Sequence, residues 1–434
     1  MKQIFIFLCC FSGIITAFSQ TYTSYFTGDT ANVNVPTKGG VVLMGGATES
    51  DEAMRWFLQQ ATGGDVVVIR ASGSNGYNNY LYTDLGVAVN SVESIVITSD
   101  EAANNPYVSR RIREADALWI AGGNQANYVN FWKNSPMRAA INYLITEKKA
   151  VVGGTSAGMA VLGGAYFSAL NGSITSNEAL TNPYDSYMTL GYGDFINYPL
   201  LKNVICDSHF NNPDRKGRLV SFLAKLLKDQ TVARPFGIAS DEYVAVCVDS
   251  TGLGRVFGRV GRSAYFVQPN CELAANTPEN CTSGQPLTWN RNGEALKVYV
   301  AAANTEGSAT FNLKNWRTAT GGVWQNWSAS NGVFSTPTAA PNPPNCPTTG
   351  AVDVPIELLN IFPNPTSGVL NLANIDGLKA SETVEIHDIN GLIVAHKSLK
   401  NNDLTIDVKN LPPSIYWLVL RDGGSFRMGK FCKL

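Results

Sequence analysis

The stretch Ala150-Val151-Val152-Gly153-Gly154-Thr155-Ser156-Ala157-Gly158-Met159-Ala160-Val161-Leu162 reads as a buried strand, a sharp turn at a serine and a departing helix. Its centre, Gly154 to Gly158, is a G-x-S-x-G sequence, the layout of a nucleophile elbow. The small flanking residues let the backbone reverse without a Cβ clash and leave the Ser156 hydroxyl exposed. The first amides of the outgoing helix then point at the place where an attacked carbonyl would develop its charge, with the positive end of the helix dipole behind them.

Outward from this point, residues 40–250 alternate short apolar runs with helical patterns. Val41–Met44, Val66–Ile69, Ser94–Ile97, Ala117–Ile120 and Ala150–Val152 read as strands, with helical stretches such as Glu52–Ala61 and Met137–Glu147 between them. Nearly continuous apolar strands separated by helices predict an α/β fold, a parallel doubly wound sheet covered on both faces. Gly45-Gly46, Gly122-Gly123 and Gly153-Gly154 fall at strand ends, where ligands bind in open α/β sheets. Residues 255–335 read as a strand-rich elaboration of this domain or a small β subdomain.

A nucleophilic serine needs a base, and the base needs an orienting group. The chain has three histidines, and His387 and His396 lie in its C-terminal part. That leaves His209, at the end of the apolar run Val204–Asp207. Asp241 and Glu242, after Gly237–Ser240, supply the candidate acid. Being adjacent, their side chains point to opposite sides in extended chain, and pattern alone does not choose between them. An α/β-hydrolase places its acid ahead of its histidine. Here the acid follows, which ranks an esterase of that fold second. A non-catalytic binding protein on the same scaffold is the third reading.

Composition bounds the rest. The chain has 434 residues, 44% of them apolar and only 15% charged, with a net charge of −1. That length predicts two or three domains. The near-zero charge gives no sign of a nucleic-acid partner, and the low charged fraction fits an extracytoplasmic protein. Lys2, the apolar run Ile4–Ile15 and Ala17-Phe18-Ser19 predict a secretory signal peptide over 1–19, with Gln20 the first mature residue. No later stretch has the roughly 18 uninterrupted apolar residues of a spanning helix. Among the remaining cysteines, Cys206 and Cys247 sit in strand-like runs as small buried hydrophobes. Cys271 and Cys281 lie in a polar stretch where export permits a disulfide between them. Thr336–Gly350 is Pro/Thr-rich and uncharged, which predicts a linker over 336–354. Short alternating runs over 355–434, separated by turn sequences such as Asn390-Gly391, predict a small β-sandwich.

The successive motifs Gly45-Gly46, Gly122-Gly123-Asn124-Gln125, Gly153–Gly158, Asp207-Ser208-His209-Phe210 and Asp241-Glu242 resemble those of the S51 serine peptidases, the family of cyanophycinase and the aspartyl dipeptidases. The segment Gly64–Gly73 is similar to the cyanophycinase branch. The resemblance assigns residues 20–335 to an S51-type peptidase domain with a fold like class I glutamine amidotransferases. It implies Ser156 as nucleophile, His209 as base, Glu242 as acid, and the amides of Gly123 and Ala157 as oxyanion hole. It also implies a peptide substrate, cyanophycin or a related β-aspartyl or acidic peptide, bound around Gln125, Asp207, Arg215 and Arg218. In that reading Asp207 holds a cationic group and Arg215 or Arg218 a carboxylate. No metal or organic cofactor is implied, and a homodimer is compatible with it. The chain departs from the cyanophycinase pattern at Asn124, at Ser208 and over Asn211–Asp214. Phe362–Gly368, Ile386–Gly391, Leu411–Leu420 and Lys430-Phe431 resemble the type A sorting domain of the Bacteroidetes type IX secretion system. That implies recognition by the type IX machinery, export through the periplasm and a secreted or cell-surface location.

Overall fold

Alternate residues of the same buried strands feed two separate cores. The computed structural model describes residues 21–229, 231–346, 357–373, 383–388, 393–398, 405–422 and 425–434. The expected signal segment and residues 347–354 of the expected linker lie outside them. The chain divides into two compact units, Met1–Thr348 and Thr349–Leu434.

The first unit opens with β1 (Thr23–Gly28), β2 (Val41–Met44), β3 (Asp65–Arg70), β4 (Ser91–Val96), β5 (Ala117–Ile120) and β6 (Val151–Thr155). Strands β4, β3, β5, β6 and β2 lie side by side in parallel, and β1 closes one edge antiparallel to β4. Val42, Met44, Val66, Val68 and Trp119 pack on one face with Met54, Phe57 and Leu58 of the helix Asp51–Gln60. Val41, Leu43, Val67, Ile69 and Leu118 pack on the other face with Ile112, Ile141 and Leu144. The two-residue period of a strand thus supplies both cores, which is why these runs are apolar throughout.

The second sheet begins with β7 (Ala165–Phe167), β8 (Leu190–Tyr192), β9 (Val204–Asp207) and β10 (Phe236–Ser240). After β10 the chain turns within three residues and re-enters the first sheet as β11 (Val244–Val248), antiparallel to β2. Residues 255–335 continue both sheets. β12 (Leu253–Gly258), β15 (Ala309–Asn312) and β16 (Ala319–Thr320) extend the first, and β13 (Ser263–Pro269), β14 (Leu296–Ala302) and β17 (Gly322–Trp327) extend the second. These added pairings are antiparallel, so the expected parallel sheet is the centre of a mixed one.

Two expectations are corrected. The Pro/Thr-rich stretch is attached to the first unit as far as Cys346. Thr338–Ala339 pairs antiparallel with β17, and Asn345 bonds Glu272 and Arg317. The disulfide joins Cys271 to Cys346, with Cα atoms 5.5 Å apart, and not to Cys281. Cys281 is a buried free thiol packed with Leu287 and Trp289, and burial pushes its pKa up to about 11.

The second unit has a five-stranded and a three-stranded sheet. Leu370, Leu372 and Ile406 from one and Ile386, Leu418 and Phe431 from the other share one core. In its Phe362–Gly368 loop, Asn364 donates to the Lys430 carbonyl at 2.8 Å and accepts from the Cys432 amide at 2.9 Å, which pins the loop to the last strand.

The disulfide closes a loop of 75 residues. Non-reducing peptide mapping is expected to recover a Cys271–Cys346 crosslink and leave Cys281 unalkylated until the protein unfolds. Cys271→Ser is expected to lower stability by about 2–4 kcal/mol in a denaturant melt. A Cys271–Cys281 crosslink would contradict the fold.

Candidate active site

Three consecutive carbonyls at the end of β2 hold the site together. Met44 O accepts from Ser156 N at 3.0 Å, Gly45 O from His209 N at 2.7 Å, and Gly46 O from Tyr243 N at 3.0 Å. Each recipient has a positive φ: 54° at Ser156, 48° at His209 and 67° at Tyr243. Such conformations cost roughly 1–3 kcal/mol each in a non-glycine residue and persist only where the surroundings enforce them. Glycine is required at both positions of the hub. A Cβ on Gly45 would run into the Asp241 carbonyl. One on Gly46, itself at φ 103°, would run into the His209 imidazole. Within the elbow, a Cβ on Gly158 would strike the Ile120 carbonyl.

The side chains so placed form a continuous relay. Ser156 Oγ lies 2.9 Å from His209 Nε2, and His209 Nδ1 lies 2.8 Å from Glu242 Oε1. With Nδ1–H donated to the carboxylate, Nε2 is free to accept the serine proton. Asn212 Nδ2 donates to both Glu242 oxygens at 3.2 and 3.3 Å, and the Glu242 amide donates to Asn211 Oδ1 at 2.8 Å. The His209 hydrogen bond, followed by that of Asn212, holds the Glu242 carboxyl below its ordinary range against partial desolvation. Its stabilising contribution is therefore present above the unfolded-state pKa and is lost as pH falls through the lower folded value. Asp241 turns the other way. Its Oδ2 accepts from Ser263 N at 3.0 Å at the start of β13, and burial pushes its pKa up.

The helix after Ser156 is shorter than the sequence predicts. It is one turn, Ala157–Ala160, followed by β7. A single turn carries little macrodipole, so individual amides must do the electrostatic work. The amides of Ala157 and Gly123 have no protein acceptor among the described residues, and both residues line a cavity of about 360 Å³ against Ser156 and His209. Gln125 lines it too, at the first turn of the helix Gln125–Trp132.

Asp207, Arg215 and Arg218 also line this cavity but are not equivalent. Arg218 is buried, donates to both Asp207 oxygens (Nε to Oδ2 at 2.8 Å), reaches the Ile174 carbonyl and sits against the stacked Phe167 and Phe222 rings. Asp207 therefore already holds a cation of its own chain, and Arg218 is already engaged bidentately. Arg215 is different. Its Nη1 donates to the Ser208 carbonyl at 2.8 Å, its Nε is buried with no partner, and its closest approach to Asp207 is 3.9 Å. Burial, and then Arg218 beside it, pushes the guanidinium down to about 10, so it stays cationic at neutral pH.

Sequence reasoning missed Asn211 and Asn212. Their signal is the pair of amide side chains directly after the His209 motif, where only a departure from the family pattern was legible.

Residues 42–250 match the model of peptidase family S51, and residues 360–433 match that of the secretion system C-terminal sorting domain. The cyanophycinase of Synechococcus elongatus is 28% identical over 232 residues, which cover 51% of this chain and 66% of the relative. The chain thus spans just under two thirds of that protein's length. A cyanophycinase from a Nostoc species is 26% identical over 264 residues, 58% of this chain and 80% of the relative. A solved peptidase from an acI-B1 actinobacterium covers 53% of this chain and 91% of its own, at 17% identity and a TM-score of 0.40. Residues 42–250, just under half of the chain, carry the likeness to peptidase family S51.

Gly46→Ala is expected to displace the imidazole and abolish Ser156-dependent turnover while the protein still folds by circular dichroism. Asn212→Ala removes a bond that favours the Glu242 carboxylate. The contribution of the Glu242 carboxylate to the acid limb of kcat/KM should move to higher pH, with the alkaline limb unchanged.

Proposed function

We propose that this protein is an exported serine-type exopeptidase of the cyanophycinase kind, acting on β-aspartyl or acidic peptides. The observation that carries the reading is the unbroken Ser156–His209–Glu242 relay beside two amides with no protein acceptor among the described residues. His209 takes the Ser156 proton as Oγ attacks the scissile carbonyl, and the Gly123 and Ala157 amides receive the oxyanion. His209 then returns the proton to the leaving amine, and water resolves the acyl-enzyme by the same steps in reverse. Oxyanion donors of this type are each worth roughly 10²–10³ in rate.

Arg215 supports an acidic acyl side. It is a cation that lines the cavity of the two amides, and its approach to Asp207 is no closer than 3.9 Å. The Asp207–Arg218 pair stands behind it as a fixed scaffold rather than as a reader of substrate. The C-terminal match supports delivery by the type IX secretion route to the cell surface or medium. No helix among the described residues is long and apolar enough to cross a membrane. The esterase reading has no acid ahead of His209 to support it, because Glu242 occupies Nδ1.

The test is incubation of the protein with cyanophycin, β-Asp-Arg-type peptides and α-Asp peptides, with products identified by mass spectrometry. Ser156→Ala should abolish release, and Glu242→Gln should reduce kcat by roughly 10⁴-fold. Unchanged hydrolysis by Ser156→Ala would sink the proposal.

A further inference from the structure

Asp241 is a buried carboxyl that the relay does not use, and it is tied to a residue beyond the stretch 42–250 that is similar to family S51. Its Oδ2 accepts from Ser263 N at 3.0 Å, and its own amide donates to the Ser263 carbonyl at 3.1 Å. Its Oδ1 is buried with no hydrogen-bond partner among the described residues. A buried carboxyl that makes one such bond is a poor source of stability, because desolvation offsets what the bond returns. What the two bonds do is fix geometry. They fasten the residue ahead of Glu242 to the first residue of β13 in both directions, and so set the direction in which the next side chain points.

The residue after Glu242 is fastened to the same hairpin. Between β12 and β13, Arg259 N donates to the Tyr243 carbonyl at 3.1 Å, and the Arg259 guanidinium lies 3.7 Å from the centroid of the Tyr243 ring. Gly258, at φ 144°, lets the two segments meet, since a Cβ there would run into that same carbonyl. The hairpin is held in turn by the residues after β14. Ala303 N donates to the Arg262 carbonyl at 2.9 Å, and Gly258 N to the Asn304 carbonyl at 3.0 Å. The base leans on the same strand, because the ring of Phe210, next to His209, has its centroid 4.9 Å from that of Tyr265 in β13. Glu242 thus sits between two residues bonded to one hairpin, while its own carboxylate faces His209.

We propose that the β12–β13 hairpin is a positioning element of the active site, and that Asp241 is a positioning residue that holds Glu242 against His209 through its bonds to Ser263. This rests on Glu242 being the acid of a Ser156 peptidase. Asp241 touches no reacting atom. If it served only to stabilise the fold, its loss would lower the melting temperature and leave the His209–Glu242 bond of the folded protein as it was.

The test reads that bond directly. Proton NMR of the full chain follows the low-field Nδ1–H resonance of His209, identified by its disappearance in His209→Gln. Asp241→Asn keeps an oxygen that can accept from Ser263 N and should keep the resonance. Asp241→Ala should lose or shift it while circular dichroism remains that of the folded protein. Gly258→Ala, which presses on the Tyr243 carbonyl from the hairpin side, should do the same. In peptide hydrolysis kcat should fall about 10²-fold in both with KM little changed, and Asp241→Asn should recover most of it. An unchanged resonance in Asp241→Ala, a loss in Asp241→Asn as large as in Asp241→Ala, or a missing resonance in the unmodified protein would each overturn the proposal. Should Asp241→Ala not fold, Gly258→Ala and Asp241→Asn still decide, since an unchanged resonance in the first or its loss in the second overturns the proposal. Failure of the peptidase reading shows elsewhere, as hydrolysis that survives Ser156→Ala, and leaves the resonance in place.

Discussion

The three carbonyls of Met44, Gly45 and Gly46 are the constraint on which the site depends. One strand end fixes the backbone of the nucleophile, of the base and of the residue beside the acid. These three come from different places: Ser156 from the first sheet, His209 from the second, and Glu242 from the turn that joins them. A shared anchor removes most of the relative motion that the meeting of two sheets would otherwise allow. Relay distances of 2.8 and 2.9 Å are therefore present before any ligand arrives, so little reorganisation remains to be done in a reaction step.

The same economy governs charge around the cavity. A buried carboxylate is costly unless it is paired and its oxygens are occupied, and Asp207 meets both conditions through Arg218. With that demand met internally, the neighbouring Arg215 in the cavity wall is left with only a 3.9 Å approach to the same carboxylate. One engaged arginine thus makes the other available. The relay carboxylate follows a parallel rule. Glu242 is kept ionised by the imidazole and by Asn212, whereas Asp241, one residue away, is buried with one oxygen unpartnered and has a raised pKa.

Local chemistry made some of this legible in the sequence and withheld the rest. The elbow glycines, the strand runs that end in glycine pairs and the sole histidine of the catalytic part can each be read from residue type and order alone. The choice between Asp241 and Glu242 could not, because adjacent residues in extended chain differ only in which side they face. Nor could the pairing of Asp207 with Arg218, since it joins the end of β9 to a buried face of the helix Lys216–Lys228. Cys271 was assigned the nearer partner, Cys281, when the one 75 residues on is in reach. Loop closure entropy grows only slowly with length, so sequence proximity is weak evidence for a pairing. The linker expectation is narrowed for a related reason, with the division between the two units falling at Thr348–Thr349. Proline-rich composition suggested free chain, while a two-residue strand and a covalent bond fasten most of it down.

That fastening bears on how the first unit tolerates a broken chain. The short strand Thr338–Ala339 covers the outer edge of β17, which carries the exposed Val323. Uncovered sheet edges are templates for pairing with other molecules. Two residues of strand would peel away readily if held only by their ladder bonds, but the crosslink at Cys346 limits how far they can go. A peptide bond cut anywhere beyond Cys346 leaves this cap in place, and the sheet keeps its own closure against aggregation.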